Sequence, residues 1–414
     1  MMKILVIPKS LEIGGSQIAT ADLASALADR GHNVVLAADR GPLEERLSPT
    51  VDSVPLPPLE RRMQRVSAIR RLLSDVDRSG EPFVVIHATE VRGVFDASIA
   101  SGLLGGPPVL GSIFSTRVPW FLPESVPLTV GMPSLHRFTE RWRMAPTYLL
   151  PAPVAPLEVH VTDRAEEVPA LDRLAPHTRL AVLVSRLVEP FKREGILRTI
   201  VAMESLARNG MALLIVGEGE ARSLYEDVAN TVNRKLGRRV IAFAGEMVDP
   251  GPALRAADVV VGNGMSVLGA AMSGVPAVVV GREGFSTVVG HSSLDLMIDQ
   301  GFYGVGSGLQ VPDVLPSQIQ SAVTGNGAPG SISQELNSRY GLGPLAVSLE
   351  KALVESAGGS SPDSGELMRA LARMAHYRLR RTALRMEARR RGLHAEQNDN
   401  FVYGSLRDLS LIHI

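Results

Sequence analysis

Arg186 and Lys192 lie in the segment Ser185-Arg186-Leu187-Val188-Glu189-Pro190-Phe191-Lys192, directly after an apolar run, Leu180–Val184, that reads as a buried strand. Two cations in a loop between a strand end and a helix can hold an anion. Arginine does so through two parallel hydrogen bonds, lysine as a point charge. A second anion-binding pattern occupies Val259–Val280, VVVGNGMSVLGAAMSGVPAVVV. There a strand, Val259–Val261, enters a loop bearing Gly262 and Gly264 and then a short helix from about Ser266. The glycines permit the close backbone approach that a ligand-facing turn needs. The unpaired amides of the helix start suit an anion such as a diphosphate. Gly274 stops that helix, and Pro276 stands at the first residue of the next strand, where a missing N–H is tolerated.

Four further positions carry side chains or turns of chemical interest. Gly14 and Gly15 follow the first apolar strand, either as a ligand-facing loop or as a plain tight turn. Gly217-Glu218-Gly219 follows the strand ending at Val216, and its first role is turn geometry. His87 ends the run FVVIH, where an imidazole can orient a hydroxyl, act as a base, or simply pack. Glu283 lies just beyond the strand Ala277–Val280, where a carboxylate either turns inward or meets water.

The elements that must position these residues form two successive series. In the first, strands at Lys3–Pro8, Asn33–Ala38, Phe83–His87 and Pro108–Ile113 alternate with helices from Ser16 to about Arg30 and near Gly93–Leu103. Such alternation implies a parallel sheet covered on both faces. The run Arg61–Arg71 reads as a solvated helix face. The proline-rich LLPAPVAPLEV from Leu149 can be neither a continuous helix nor a central strand, which places a crossing there. The second series has strands at Leu180–Val184, Met211–Val216, Val240–Phe243, Val259–Val261 and Ala277–Val280, and a last helix near Leu345–Glu355. The expected domains are therefore 1–150, a crossing at 151–178, 179–357, and a linker and basic helical tail at 358–414. Two Rossmann-like halves imply a cleft between them, with ligands outside the carboxyl ends of the strands.

Composition sets outer bounds. The chain has 414 residues, 45% hydrophobic and 21% charged, which suits a globular protein of two domains. Zero formal net charge argues against a molecule built to hold nucleic acid. Absence of cysteine excludes disulfides and thiolate metal sites. The start MMKILVIPKS is too short in apolar length for a signal peptide, and the expectation is a cytoplasmic protein. Basic charge is mostly arginine; the lysines are Lys3, Lys9, Lys192, Lys235 and Lys351. Between Glu366 and Arg391 an arginine-rich helix carries Leu367, Leu371, Met374 and Leu379. It either adsorbs to anionic lipid at the inner face of a membrane or packs its apolar stripe on the first domain. The closing LSLIHI resembles translated adapter sequence. No H-E-x-x-H, EF-hand, Walker A or G-x-S-x-G pattern is present.

The stretch Val259–Val280 resembles the donor-binding segment of GT-B glycosyltransferases of the family 4 type, G-x-G-x-S-x-x-E-A-x-A-x-G-x-P. Arg186, Leu187 and Lys192 resemble that family's R-L-x-x-x-K with one extra residue. Gly217-Glu218-Gly219 resembles its VGxG turn, Gly14-Gly15 its N-terminal loop, and His87 the histidine of its "HAH" or "HAT" pattern. The resemblance implies a GT-B fold and transfer of a sugar from a nucleotide-sugar donor to an acceptor of lipid, polysaccharide or small-molecule type. It implies retention, no metal and no further cofactor. It also assigns a donor role to Gly217, Glu218, Gly262, Gly264, Met265, Ser266 and Val267. One position departs. Gly269 stands where the family carries the glutamate for the donor ribose, and Glu283 is the candidate replacement. The alternatives are a degenerate relative that binds a nucleotide sugar or a partner protein without turnover, and an epimerase or hydrolase on the same fold.

Overall fold

The computed structural model describes residues 1–74, 81–155, 168–189, 191–304, 314–325 and 330–390. The contacts divide the chain into two compact units, one of residues 1–155 with 338–377, the other of residues 156–337 with the chain beyond 377.

The first unit is built on a seven-stranded sheet. Strand β1 (Lys3–Ile7) leads through α1 (Gly15–Asp29) to β2 (Asn33–Ala38) and β3 (Asp52–Pro55). Then α2 (Arg62–Ser74), β4 (Val85–Thr89), α3 (Glu90–Gly102), β5 (Val109–Ile113), β6 (Leu128–Val130), α4 (Pro133–Glu140) and β7 (Thr147–Leu149) follow. The order is β3-β2-β1-β4-β5-β6-β7, parallel throughout. Continuous runs such as KILVI and VLGSI are buried along their whole length, as a sheet covered on both faces requires. From β1 the chain winds outward one way and from β4 the other, so the crevice at their carboxyl ends is a topological switch point.

The second unit holds a six-stranded sheet. Its elements are β8 (Arg179–Val184), α5 (Arg193–Leu206), β9 (Met211–Val216), α6 (Arg222–Leu236), β10 (Ile241–Gly245), α7 (Gly251–Ala256), β11 (Val259–Gly262), α8 (Met265–Met272), β12 (Ala277–Val280) and β13 (Ser286–Val288). Helices α9 (His291–Asp299), α10 (Val314–Thr324) and α11 (Gly330–Tyr340) complete it. The order β10-β9-β8-β11-β12-β13 is parallel except for the antiparallel β13, and the switch point lies between β8 and β11.

Two findings differ from the reading of the sequence. The helix expected near Leu345–Glu355 is α12 (Leu342–Ala357), and it packs on the first unit rather than closing the second. Leu345, Leu349 and Leu353, one helical turn apart, join the core that contains Ile4, Leu23 and Leu36. Glu350 bonds Arg30 and also His32, at 3.0 Å. The basic helix α13 (Ser364–Arg390) likewise begins on the first unit. Leu367 and Ala370 are buried, Glu366 accepts from the Ser125 N–H at 2.8 Å, and Arg373 pairs with Glu124. Further on, Leu379 is 73% exposed. Arg391 and LSLIHI lie outside the described residues, as does 156–167 of the expected crossing.

The second difference concerns Arg61–Arg71, expected to be solvated. Arg65 is fully buried. It donates to the Pro8 carbonyl at 3.1 Å and the Pro57 carbonyl at 3.0 Å, and faces Asp39 and Asp96 at 3.6 and 3.9 Å. A buried guanidinium survives only where carbonyls and carboxylates replace its water.

Candidate functional site

The switch point of the second unit gathers the residues that the sequence singled out for anion chemistry. Strand β8 ends at Val184 and delivers Arg186; β11 ends at Gly262 and delivers the start of α8. The two strands are neighbours, so these loops meet. The Ser266 hydroxyl donates to the Val184 carbonyl at 3.3 Å, which fixes the α8 start against the β8 end. Gly264 caps α8 at φ +71°, a left-handed conformation that favours glycine, and its N–H donates to the Phe302 carbonyl at 2.8 Å. A Cβ there would lie 3.5 Å from the Tyr303 ring.

Lys192 caps the N-terminus of α5. Its ammonium is bonded to the Asn263 side-chain oxygen, while the Asn263 amide donates to the Val280 carbonyl at 3.1 Å. Burial, with the nearby Arg186 charge adding to it, pulls the Lys192 ammonium down to about 8. Arg186 itself is exposed. The result is two cations beside the amino ends of α5 and α8, with the Glu194 carboxylate in the first turn of α5 turned to the Glu283 and Gly284 N–H groups. Asn263 was missed by sequence reasoning. Its signal was its place between Gly262 and Gly264, which reads as turn chemistry until Lys192 is seen to reach it.

Gly217-Glu218-Gly219 lies under the Arg186 loop. A Cβ on Gly217 would meet the Ser185 carbonyl oxygen at 1.9 Å. The backbone is stitched there by Ser185 N–H to Val216 O at 3.0 Å and Leu187 N–H to Glu218 O at 2.8 Å. The Glu218 carboxylate is paired with Arg222. This turn therefore supports the loop that carries Arg186. Val267 and Gly269 are buried within α8, and Met265 opens it. Glu283 is exposed on the turn after β12, at φ +55°, with its N–H and that of Gly284 donating to Glu194 at 2.8 and 2.6 Å. Glu194 thus holds the Glu283 backbone.

In the first unit the structure corrects the position of His87. It is in the middle of β4, not at its end, and is fully buried. Its Nε2 shares a hydrogen bond of 2.8 Å with Ser112, which also accepts from Thr129 at 2.8 Å. Its Nδ1 has no partner, and burial lowers the imidazole to about 4. A neutral histidine so placed is a core group. The strand ends two residues later, at Thr89, and the next residue is Glu90. Gly14 and Gly15 open α1 beside it: the Thr20 hydroxyl of α1 lies 3.2 Å from that of Thr89. Among the described residues no helix is long and apolar enough to cross a membrane, and no group of three or more His, Asp or Glu could hold a metal ion.

The chain is similar to known proteins in family and in fold. Residues 14–183 match the glycosyl transferase 4-like domain, and residues 178–302 match the glycosyl transferases group 1 domain. No curated protein matches the chain by sequence. Among solved structures, HepE of Anabaena in complex with UDP and glucose is similar at a TM-score of 0.62 and 17% identity, over 86% of this chain and 100% of that one. Sucrose-phosphate synthase of Thermosynechococcus elongatus gives 0.61 and 16% over 85% and 98%. The apo lipopolysaccharide outer core galactosyltransferase WaaB gives 0.55 and 15% over 86% and 99%. At these identities the likeness is one of fold.

Proposed function

Since the chain belongs to the group 1, family 4-like glycosyltransferases of GT-B fold, we propose that it moves a sugar from a nucleotide-sugar donor to an acceptor. The observation that carries this reading is the meeting of Arg186, Lys192 with Asn263, and the start of α8 at one switch point. As the glycosidic bond breaks, negative charge builds on the departing diphosphate. Fixed cations and amides stabilise that charge more than the ground state, which is what lowers a barrier. In this reading Arg186 and Lys192 hold the diphosphate and the α8 amides complete its shell, while Gly217–Gly219 supports them. The reaction proceeds with retention and needs neither metal nor a second cofactor. HepE, solved with UDP and glucose, supports a uridine donor as the first to try.

A second reading is favoured by Gly269, which removes the acid expected at the donor ribose: a relative that binds the nucleotide sugar without turnover. Saturation-transfer NMR against a panel of nucleotide sugars identifies the donor, and release of nucleoside diphosphate from that donor separates the readings. Release above the uncatalysed rate supports the transferase, and binding without release supports the degenerate relative. The acceptor is of lipid, polysaccharide or small-molecule type. The arginines of α13 with the exposed Met368 and Leu379 favour peripheral contact with an anionic membrane surface.

A further inference from the structure

Glu90 is the first residue of α3, at the carboxyl end of β4, and its backbone is held at φ +60°. Only three described non-glycine residues have a positive φ, and the other two, Glu283 and Phe302, flank the candidate diphosphate site. A glutamate gains nothing from the left-handed region that a glycine or asparagine would not obtain with less strain, and such strain collects at sites of function. Its surroundings are as unusual as its backbone. The Lys9 ammonium, the Phe114 N–H and the hydroxyls of Ser115 and Ser16 all face its carboxyl, and burial pushes that carboxyl above the ordinary carboxylate range. These groups come from the loop after β1, the start of α1 and the end of β5. They converge on the crevice between β1 and β4, the switch point of the first unit. Gly93 lets α3 come this close: a Cβ there would lie 3.0 Å from the Ile7 carbonyl oxygen at the end of β1.

We propose that Glu90 binds a hydroxyl of the sugar acceptor, its carboxylate accepting the O–H hydrogen bond beside Lys9, Ser16 and Ser115. The acceptor class is then a polyol presented through neutral hydroxyls. This rests on the transferase reading above and replaces His87, which is sealed in the sheet, as the polar group of the first unit that meets substrate. Ser16 and Ser115 direct their hydroxyl protons to the Gln17 side-chain oxygen at 2.9 Å and to the Arg117 carbonyl at 3.3 Å, and each hydroxyl can turn from that acceptor to a ligand oxygen. A purely structural role makes the opposite forecast for stability. If Glu90 only ties the strand ends together, removing it should weaken the unit. If it is kept strained for a ligand, Glu90→Gly should relieve the backbone and leave the protein as stable or more so.

The test uses the full chain as wild type, Glu90→Gln and Glu90→Gly. Thermal unfolding, calorimetric titration with UDP, and transfer from UDP-glucose to glycerol, myo-inositol or glucose are measured for each. The proposal expects UDP affinity unchanged in both variants, a melting temperature for Glu90→Gly equal to or above wild type, and polyol transfer lowered at least tenfold through the KM of the polyol. Full transfer by Glu90→Gln together with a lower melting temperature for Glu90→Gly overturns it in favour of a structural tie. A raised KM for the sugar nucleotide with an unchanged KM for the polyol also overturns it, by moving the hydroxyl to the donor. A wild type that binds UDP and transfers to none of the polyols overturns the acceptor class while leaving the donor site standing. Failure of the wild type to bind any nucleoside diphosphate instead strikes the donor reading, and is seen in the calorimeter independently of Glu90.

Discussion

The ammonium of Lys192, lowered to about 8 by burial and by Arg186, should make nucleoside-diphosphate binding fall as pH rises through that value. With a pKa of about 8, roughly nine-tenths of the side chain is charged at pH 7 and roughly one-tenth at pH 9. A charge-assisted hydrogen bond to phosphate is worth about 1.5–3 kcal/mol, so the neutral form binds about tenfold or more weakly. The loss between pH 7 and 9 is therefore close to the change in charged fraction, about tenfold in Kd or ~1.4 kcal/mol. Binding at pH 8 should also take up about half a proton, because a bound phosphate returns the ammonium toward its ordinary range. Calorimetry in two buffers of different ionisation enthalpy reads both quantities. Lys192→Arg is the control, since a guanidinium stays charged across the window and any titration of the ligand is common to both proteins. The sign for stability follows from the same group. Its folded pKa lies below its unfolded value, so from about pH 8 to the ordinary lysine range the unfolded chain holds more protons and stability rises with pH. A flat affinity from pH 7 to 9 in the wild type, or an equal slope in Lys192→Arg, refutes this role.

Three other perturbations have defined outcomes. Asn263→Leu removes the oxygen that holds Lys192 and should weaken UDP binding by about 1–2 kcal/mol in the same titration, with Arg186 untouched. Gly269→Glu should tighten UDP binding several-fold, about 1 kcal/mol, by supplying an acceptor for ribose hydroxyls; no gain in a folded variant counts against a donor ribose beside α8. Arg65→Met leaves Asp39 without its buried cation and the Pro8 and Pro57 carbonyls without their donor, while Asp96 keeps Arg62 at 2.8 Å, and should cost about 3 kcal/mol in urea unfolding.

The strands that position both switch points were legible because each is a continuous apolar run: KILVI, NVVLAA, MALLIV and VVV admit few other readings. The strands that escaped, β3, β6, β7 and β13, are three or four residues long, and DSVP at β3 is exposed or half-buried along its length. Nothing in their periodicity distinguishes them from loop. The candidate anion site was legible in residue type at Arg186, Lys192 and Ser266, since its chemistry follows the order strand, loop, helix. Asn263 and Glu90 were not, because what marks them is a partner remote in sequence and a backbone angle. His87 shows the same limit in reverse. Ending β4 at Thr89 instead of His87 moves the histidine from the rim of the sheet into its core.

We infer that the second unit seats a nucleoside diphosphate on Arg186, Lys192 and the start of α8. Calorimetric titration of UDP, GDP and ADP into the wild type and into Arg186→Ala/Lys192→Ala tests it most directly. Saturable binding of at least one of the three by the wild type is expected, with loss of at least about 2 kcal/mol of it in the double variant. Binding of none of them by the wild type, or equal binding by a folded double variant, would contradict it.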